Sequence, residues 1–293
     1  LSEIGAKLAP MRDLTTPINP DAPELGPKVN QVVFSGGRNQ QSAFTDRFWK
    51  KVFGTVNARH DHTSICEESH HIAHELLTGY SLQSTKDHTK PDLANAECVV
   101  WFGSDPCSAN FPFVPIARKL VDMVQRGGKL YVIDPRCNVA ASKGIWVPIR
   151  PGADAALALA ISRYIVDGGF SNTAFLQRPH NDAANPTGEL NVSDATLLVK
   201  IVDGHPLAFL RADEAGIAGG TNADFVVWSG GAERIYNTVD TADLLPGQVV
   251  VNGHTCKTAF ELYVERVRER SISEYSAICG VDAGTITAMA QDL

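Results

Sequence analysis

The stretch "KLYVIDPRCNVAASKGIWVPIRPGADAALALAISRYIVDGG", residues 129–169, decides the fold. Its first part, Leu130 to Ile133, is apolar at every position and stops at Asp134, Pro135 and Arg136. A half-exposed strand alternates apolar and polar residues, whereas a continuous apolar run belongs to a strand covered on both faces. From Pro151 and Gly152 onward the spacing changes to a helical one, and Gly168 and Gly169 end it. Strand, loop and helix thus follow one another within forty-one residues.

The same unit repeats upstream. "ECVVWFGSDP" (97–106) reads as a strand entering a polar turn. "FVPIARKLVDMVQRGG" (113–128) is a helix with Ile116, Leu120, Val121 and Val124 on its apolar side, stopped by Gly127 and Gly128. Farther back, "NQVVFSGG" (30–37) is an apolar strand ending in glycines, and "SAFTDRFWKKVFG" (42–54) has helical spacing. The first residues predict an amphipathic helix with Leu1, Ile4, Leu8 and Met11 on one side. The expected class is α/β: a parallel sheet flanked by helices, Rossmann-like and doubly wound.

Downstream the character changes to a β-hairpin-rich second half. "FLQRPHNDAANPTGELNVSD" (175–194) is turn-rich, and "TLLVKIVDGHPLAFL" (196–210) predicts a hairpin turned at Asp203-Gly204. "ADFVVWSGG" (223–231) and "QVVVNGHTC" (248–256) are further strands, the second turning at Asn252-Gly253. "KTAFELYVERVRER" (257–270) is a helix, "SISE" (271–274) offers a capping box, and a last helix begins near Asp282. Two domains are expected, part of a first α/β domain over 1–60 and a second, ligand-binding one over 61–293. The chain starts without Met and ends within a helical pattern, so it is expected to be a piece of a longer protein.

Composition excludes several classes. Hydrophobic residues make up 44% and charged residues 20%, enough for a core. The net charge of −7 and the lack of a basic stripe argue against nucleic acid as a partner. No run approaches the roughly 18 consecutive apolar residues of a membrane helix. The six cysteines form no C-x-x-C pair, which disfavours a zinc ribbon or a cluster held by this segment alone. Cys98, Cys256 and Cys279 read as small buried hydrophobes.

In an open parallel sheet, ligands bind beyond the carboxyl ends of the strands. Three such ends are marked by small residues, Asp and Arg: "SGGRNQ" (35–40), "GSDPCSAN" (103–110) and "DPRCN" (134–138). Asp134 is placed to accept two N–H bonds from a guanine or to hold ribose hydroxyls, and Arg136 and Arg38 to neutralise a diphosphate. Asp154 lies at a helix start, where it either caps the helix or meets a ligand. Neither G-x-G-x-x-G nor a Walker A loop is present, which disfavours ordinary nicotinamide or ATP sites. The richest chemistry is "HTSICEESHHIAHE" (62–75). Cys66 by a helix start would have a lowered thiol pKa, fitting a nucleophile or a soft metal ligand. His70 and His74 share a helical face but lack the H-E-x-x-H pattern, and solvated histidines fit equally well.

Taken together and in order, these segments resemble the catalytic subunits of the molybdopterin oxidoreductases, the dimethyl-sulfoxide-reductase type. The likeness rests on "FSGGRNQ" with "RFWKKVFGTVN", on "HTSIC", on "VVWFGSDPCSANFP", and above all on "YVIDPRCNVAASKGIWVPIRPGADAALALAI". It implies that Cys66 is the thiolate ligand of molybdenum (or tungsten), carried by two molybdopterin guanine dinucleotides. Asp134 and Asp154 would then contact guanine, and Arg136 the phosphate or ribose region. Gly103, Ser104, Asp105 and Ser108 would line the same dinucleotide, with Gly152 at the helix entry. Gly36 and Arg38 would lie beside the pterin. His62 or His60 would donate protons or hold an anionic substrate.

Departures from the family pattern fall at Asp105, where Asn is common, and in "GTVN" and "PGAD". The family's N-terminal [4Fe-4S] cluster segment and C-terminal domain are expected outside this piece, so the piece alone is expected to be inactive. "HTSICEESHHIAHELLTG", "SANFPF" and "KTAFEL" resemble the respiratory branch acting on sulfur oxyanions, and tetrathionate is the expected small inorganic anion substrate. Arsenate, thiosulfate and polysulfide are alternatives within the family. The resemblance implies two partners, an iron–sulfur electron-transfer subunit and a membrane anchor subunit. It places the complex in the periplasm or on the outer face of the cytoplasmic membrane. Outside the family stand a non-catalytic nucleotide-binding or assembly module and a zinc hydrolase using Cys66, His70 and His74.

Overall fold

A computed structural model describes residues 2–36, 42–60, 68–78, 91–108 and 113–293. The chain forms two compact units, Leu1–Pro91 and Asp92–Leu293.

In the first unit, a helix Ser2–Leu8 runs into a 3-10 turn, Ala9–Met11. Strand β1 (Phe34–Gly36) pairs in parallel with β2 (Ala58–His60), and Gly36 lies opposite His60. Between them an α-helical turn, Ser42–Asp46, continues as a π-helix, Arg47–Phe53, which Gly54 ends with φ 102°. Trp49 stacks on Phe34 with centroids 5.2 Å apart, which seats the helix on the strand. A helix over Glu68–Thr78 follows.

The apolar run at 30–37 predicts a strand, but only its last part is one. Lys28–Gln31 form a 3-10 turn instead. Asn30 is the cause, because its side chain is buried (9% exposed). Its amide donates to the Leu25 carbonyl and its Oδ1 accepts from Val56 N. The Thr55 hydroxyl donates to Val32 O at 2.8 Å, and Asn57 Nδ2 to Asn30 O at 2.6 Å. These polar braces satisfy buried backbone groups and set the approach to β2.

The second unit opens with a parallel sheet of order β3-β4-β5: Cys98–Phe102, Lys129–Ile133 and Ile145–Val147. Alternate residues of β4 serve opposite faces. Leu130 and Val132 pack with Ile116, Leu120 and Met123 of the helix Phe113–Gln125. Tyr131 and Ile133 pack with Leu157, Ala160 and Ile161 of the helix Asp154–Asp167. Ile286 and Met289 of the last helix, Ala283–Asp292, close that second face. Helices on both faces explain why the β4 sequence carries no polar alternation. On the helix Phe113–Gln125 the apolar side differs from the one read from spacing: Met123 is fully buried, while Val121 is 37% exposed. The 3-10 turn Ala141–Lys143 makes the short crossover from β4 to β5, with Ala140 and Ala141 buried on the first face. Gly144 is required there, because a Cβ would lie 2.4 Å from the Leu130 carbonyl oxygen.

The remainder is antiparallel. β6 (Leu198–Val202), β7 (His205–Phe209), β10 (Val249–Val251) and β11 (His254–Thr258) form a sheet of order β10-β11-β6-β7. β8 (Val226–Ser229) and β9 (Ala232–Ile235) form a separate hairpin. Asp203-Gly204 and Asn252-Gly253 turn the two hairpins of the larger sheet as expected, all four residues with positive φ. Helices Ala259–Arg268, capped by Thr258, and Ile272–Cys279 follow, the latter with the full Ser271–Glu274 capping box. Among the described residues no helix is long and apolar enough to cross a membrane.

Candidate functional site at the strand ends

Register places the ends of the parallel strands side by side. Phe102 pairs with Ile133, and Ile133 with Val147. Gly103, Asp134 and Pro148 therefore leave the sheet from one edge. The Gly103 N–H donates to Ile133 O at 2.8 Å, and the Asp134 N–H to Val147 O at 3.3 Å. Gly103 turns there with φ 57°, and nothing lies within 4 Å of where a Cβ would be.

The loop after β3 is self-supporting. Asp105 Oδ1 accepts from Cys107 N at 3.1 Å, and the Ser108 N–H donates to the Asp105 carbonyl. Ser104 is half-buried and Ser108 exposed. Burial raises the Cys107 thiol pKa, and the neighbouring Asp105 charge adds to it. Cys107 therefore stays a neutral thiol near pH 7 and is poorly suited to ligation.

The loop after β4 carries the densest bonding. Asp134 Oδ1 accepts from Arg136 N at 2.8 Å, and Oδ2 from Asn138 Nδ2 at 3.2 Å. Trp146 on β5 donates its indole N–H to the Asp134 carbonyl oxygen at 2.8 Å. Asn138 also reaches the Ser104 carbonyl at 3.5 Å and accepts from Ala141 N at 2.9 Å. A single buried amide thus touches both loops and the crossover turn. The Arg136 side chain is exposed and makes no hydrogen bond among the described residues.

Beyond β5 the chain reaches the helix Asp154–Asp167 through Arg150, Pro151 and Gly152. Arg150 donates to the Ala277 and Ile278 carbonyls at the end of the helix Ile272–Cys279 and fixes this entry. Gly152 has φ 79° and open space around it. Ala153, not Asp154, occupies the N-cap position, and no side chain caps the helix. The capping alternative for Asp154 is thereby set aside. Its exposed carboxylate stands in the first turn, where the helix dipole favours negative charge.

In the first unit, Gly36 ends β1 directly opposite His60, so the stretches holding Arg38 and Cys66 follow the C-terminal ends of two paired parallel strands. Arg38, His62 and Cys66 themselves lie outside the described residues. Among the described residues no group of three or more His, Cys, Asp and Glu is placed to hold a metal.

Asn138 and Trp146 are site residues that motif and composition do not single out. The one signal for Asn138 is a lone amide two residues past Arg136, just ahead of Ala140 and Ala141, which the fold buries. Trp146 gives no local signal, since its role comes from β-sheet register with Val132.

No family model matches the chain. Among curated relatives, a subunit of the selenate reductase of Mesobacillus selenatarsenatis is 35% identical over 277 residues, 90% of this chain and 26% of that protein. The corresponding tetrathionate reductase component of Salmonella typhimurium is 30% identical over 94% of the chain and 28% of the relative. Its counterpart in Archaeoglobus fulgidus is 29% identical over 100% of the chain and 25% of the relative. The chain spans about a quarter of the length of these relatives. A shorter match, 29% identical over 47% of the chain, is to the arsenate respiratory reductase molybdopterin-containing subunit of a Shewanella strain. Acetylene hydratase from Pelobacter acetylenicus superposes with a TM-score of 0.47 at 18% identity, covering 98% of this chain and 26% of that one, too loosely to add to the sequence matches. On these sequence matches, the chain belongs to the molybdopterin oxidoreductase family.

Proposed function

We propose that this chain is the part of a catalytic subunit that holds the guanine dinucleotide of a molybdenum (or tungsten) bis(molybdopterin guanine dinucleotide) cofactor, in a reductase of oxyanions. The observation that carries the reading is the run of matches over 90% or more of the chain to selenate and tetrathionate reductases.

The donor set fits the group. Asp134 keeps lone pairs for two further N–H donors beyond Arg136 and Asn138. The exposed Arg136 guanidinium suits a phosphate, which it can grip with two parallel N–H bonds. Asp154 offers a further carboxylate, an exposed one, and the open left-handed turn at Gly152 lets backbone approach a ligand closely. When bound, the group supplies two-electron oxidation and reduction, which protein side chains alone do not provide. The chain's part is to orient the nucleotide by these contacts. Cys66 would supply the soft thiolate a redox-cycling metal favours, and Gly36 and Arg38 would face the pterin. His62 would hold the anionic substrate or donate a proton to it.

Tetrathionate is the proposed substrate, reduced by two electrons with cleavage of an S–S bond. Selenate is the second reading, favoured by the 35% match. An iron–sulfur electron-transfer subunit, a membrane anchor subunit and a [4Fe-4S] cluster in other parts of the protein would deliver electrons, with the complex in the periplasm. The test uses full-length protein with a reduced dye as electron donor. Dye oxidation is expected with tetrathionate, and its loss by a factor of at least about 10³ in Cys66→Ala, as for removal of a core catalytic group. Undiminished reduction by Cys66→Ala would sink the ligand assignment, and reduction of selenate alone would replace the substrate.

A further inference from the structure

Asn138 is a buried polar side chain (7% exposed) that ties the loop after β4 to the crossover turn following it and to the separate loop after β3. Its Nδ2 holds the Asp134 carboxylate at 3.2 Å and reaches the Ser104 carbonyl at 3.5 Å. Its Oδ1 receives the Ala141 N–H at 2.9 Å, at the start of the crossover turn. The two ends of the amide thus do different work. The oxygen anchors the loop to its own turn, and the nitrogen directs one carboxylate oxygen of Asp134 inward. The Arg136 N–H holds the other oxygen at 2.8 Å. A carboxylate on a flexible loop samples several rotamers, whereas one gripped at both oxygens presents its remaining lone pairs in a single plane.

We infer that Asn138 is a positioning residue for the Asp134 carboxylate, setting the plane in which it meets its ligand's N–H donors, and contacts no ligand itself. The inference rests on the reading that Asp134 binds the guanine dinucleotide.

The substitution Asn138→Asp separates the two ends of the amide. It keeps an oxygen to accept from Ala141 N and removes only the donor toward Asp134. In its place stands a second carboxylate beside the first. At pH 8 both are ionised and repel, and that repulsion raises the pKa of one, so that the pair takes up a shared proton as pH falls. The other titratable and charged groups of the neighbouring segments are Asp105 and Cys107 on the loop after β3, Arg136 and Cys137 on the loop after β4, and Lys143 on the crossover turn. They are unchanged in the variant, so the wild type serves as baseline at each pH.

The experiment measures guanine nucleotide retained per molybdenum in full-length protein, and its rate of release, at pH 8 and pH 5. Thermal unfolding of the variant and of the wild type is measured alongside. Release from Asn138→Asp is expected to be about tenfold faster than from wild type at pH 8, one pKa unit's worth of lost contact. It should return to within about twofold at pH 5, where a shared proton restores the donor. A variant purified without the nucleotide but with wild-type unfolding also supports the inference. Wild-type retention at both pH values overturns it. So does a variant that fails to fold, because the Ala141 bond is preserved and the role would then be structural. Absence of guanine nucleotide from the wild type overturns instead the functional reading on which the inference rests.

Discussion

Two sheets in the same unit, β3-β4-β5 and β10-β11-β6-β7, dispose of their strand ends in opposite ways. In the antiparallel sheet, two-residue turns close the hairpins, and one turn side chain is used internally, Asn252 Nδ2 donating to the Glu214 carbonyl at 2.8 Å. In the parallel sheet β3 and β4 are each followed by a crossover and β5 by the entry to the helix Asp154–Asp167, so all three strand ends open into longer loops at one edge. Those loops carry Ser104, Asp105, Asp134, Arg136 and Gly152. Both sheets gather Asp or Asn and Gly at one edge, because the turns Asp203-Gly204 and Asn252-Gly253 also lie side by side. Topology changes the length of chain there, two-residue turns in one half and loops carrying several polar side chains in the other.

That contrast can be broken at the level of the core. Leu130 on β4 is 2% exposed and Leu198 on β6 is fully buried. Truncation of either to Ala is expected to cost about 3 kcal/mol of stability by urea unfolding. Only Leu130→Ala, four residues before Asp134, is expected to speed nucleotide loss well below the unfolding midpoint. Equal loss from Leu198→Ala would mean that the two sheets do not act separately.

A smaller effect sharpens the comparison. Gly152 and Gly204 share φ 79°, and neither has an atom within 4 Å of the missing Cβ. Gly→Ala is therefore expected to cost both positions a similar amount, about 1 kcal/mol, from left-handed strain. Nucleotide retention should fall in Gly152→Ala and stay at the wild-type level in Gly204→Ala. The opposite ranking would place the ligand away from the parallel edge.

The smallest expected effect concerns pH. Arg163 first, then Arg268, holds the Asp167 carboxyl below its ordinary value. A depressed carboxylate stabilises the fold above its unfolded pKa of about 3.9 and loses that contribution as pH falls through the folded value. Asp167 is 38% exposed, so solvent screening limits the gain to under about 1 kcal/mol. Asp167→Asn is expected to flatten part of the fall in urea midpoint between about pH 5 and pH 3. A profile unchanged from wild type would show that the pair contributes nothing.

Much of this fold is legible from residue patterns whose causes are local. The apolar run 130–133, the turns at Asp203-Gly204 and Asn252-Gly253, and the Ser271–Glu274 box depend on neighbours within a few residues. What escapes a reading of the residues depends on distant ones. The strand β2 has no apolar run and exists because β1 pairs with it. Met123 replaces Val121 on the buried side because the sheet lies slightly around the helix from where spacing alone would put it. The turn at Gly230-Gly231 looks like a strand's end in sequence, since the second strand of its hairpin, Ala232–Ile235, is short and half-polar. At the site, Asp134 and Gly103 stand out by composition. Asn138 does not, because its importance lies in reaching Ser104, thirty-four residues back along the chain.

The central claim is that the parallel strand ends hold the guanine dinucleotide of a molybdopterin cofactor. The most direct test is metal and nucleotide analysis of the full-length protein after acid hydrolysis. Molybdenum or tungsten found together with guanine nucleotide is the predicted result. Zinc alone, or either metal without guanine nucleotide, would contradict the account.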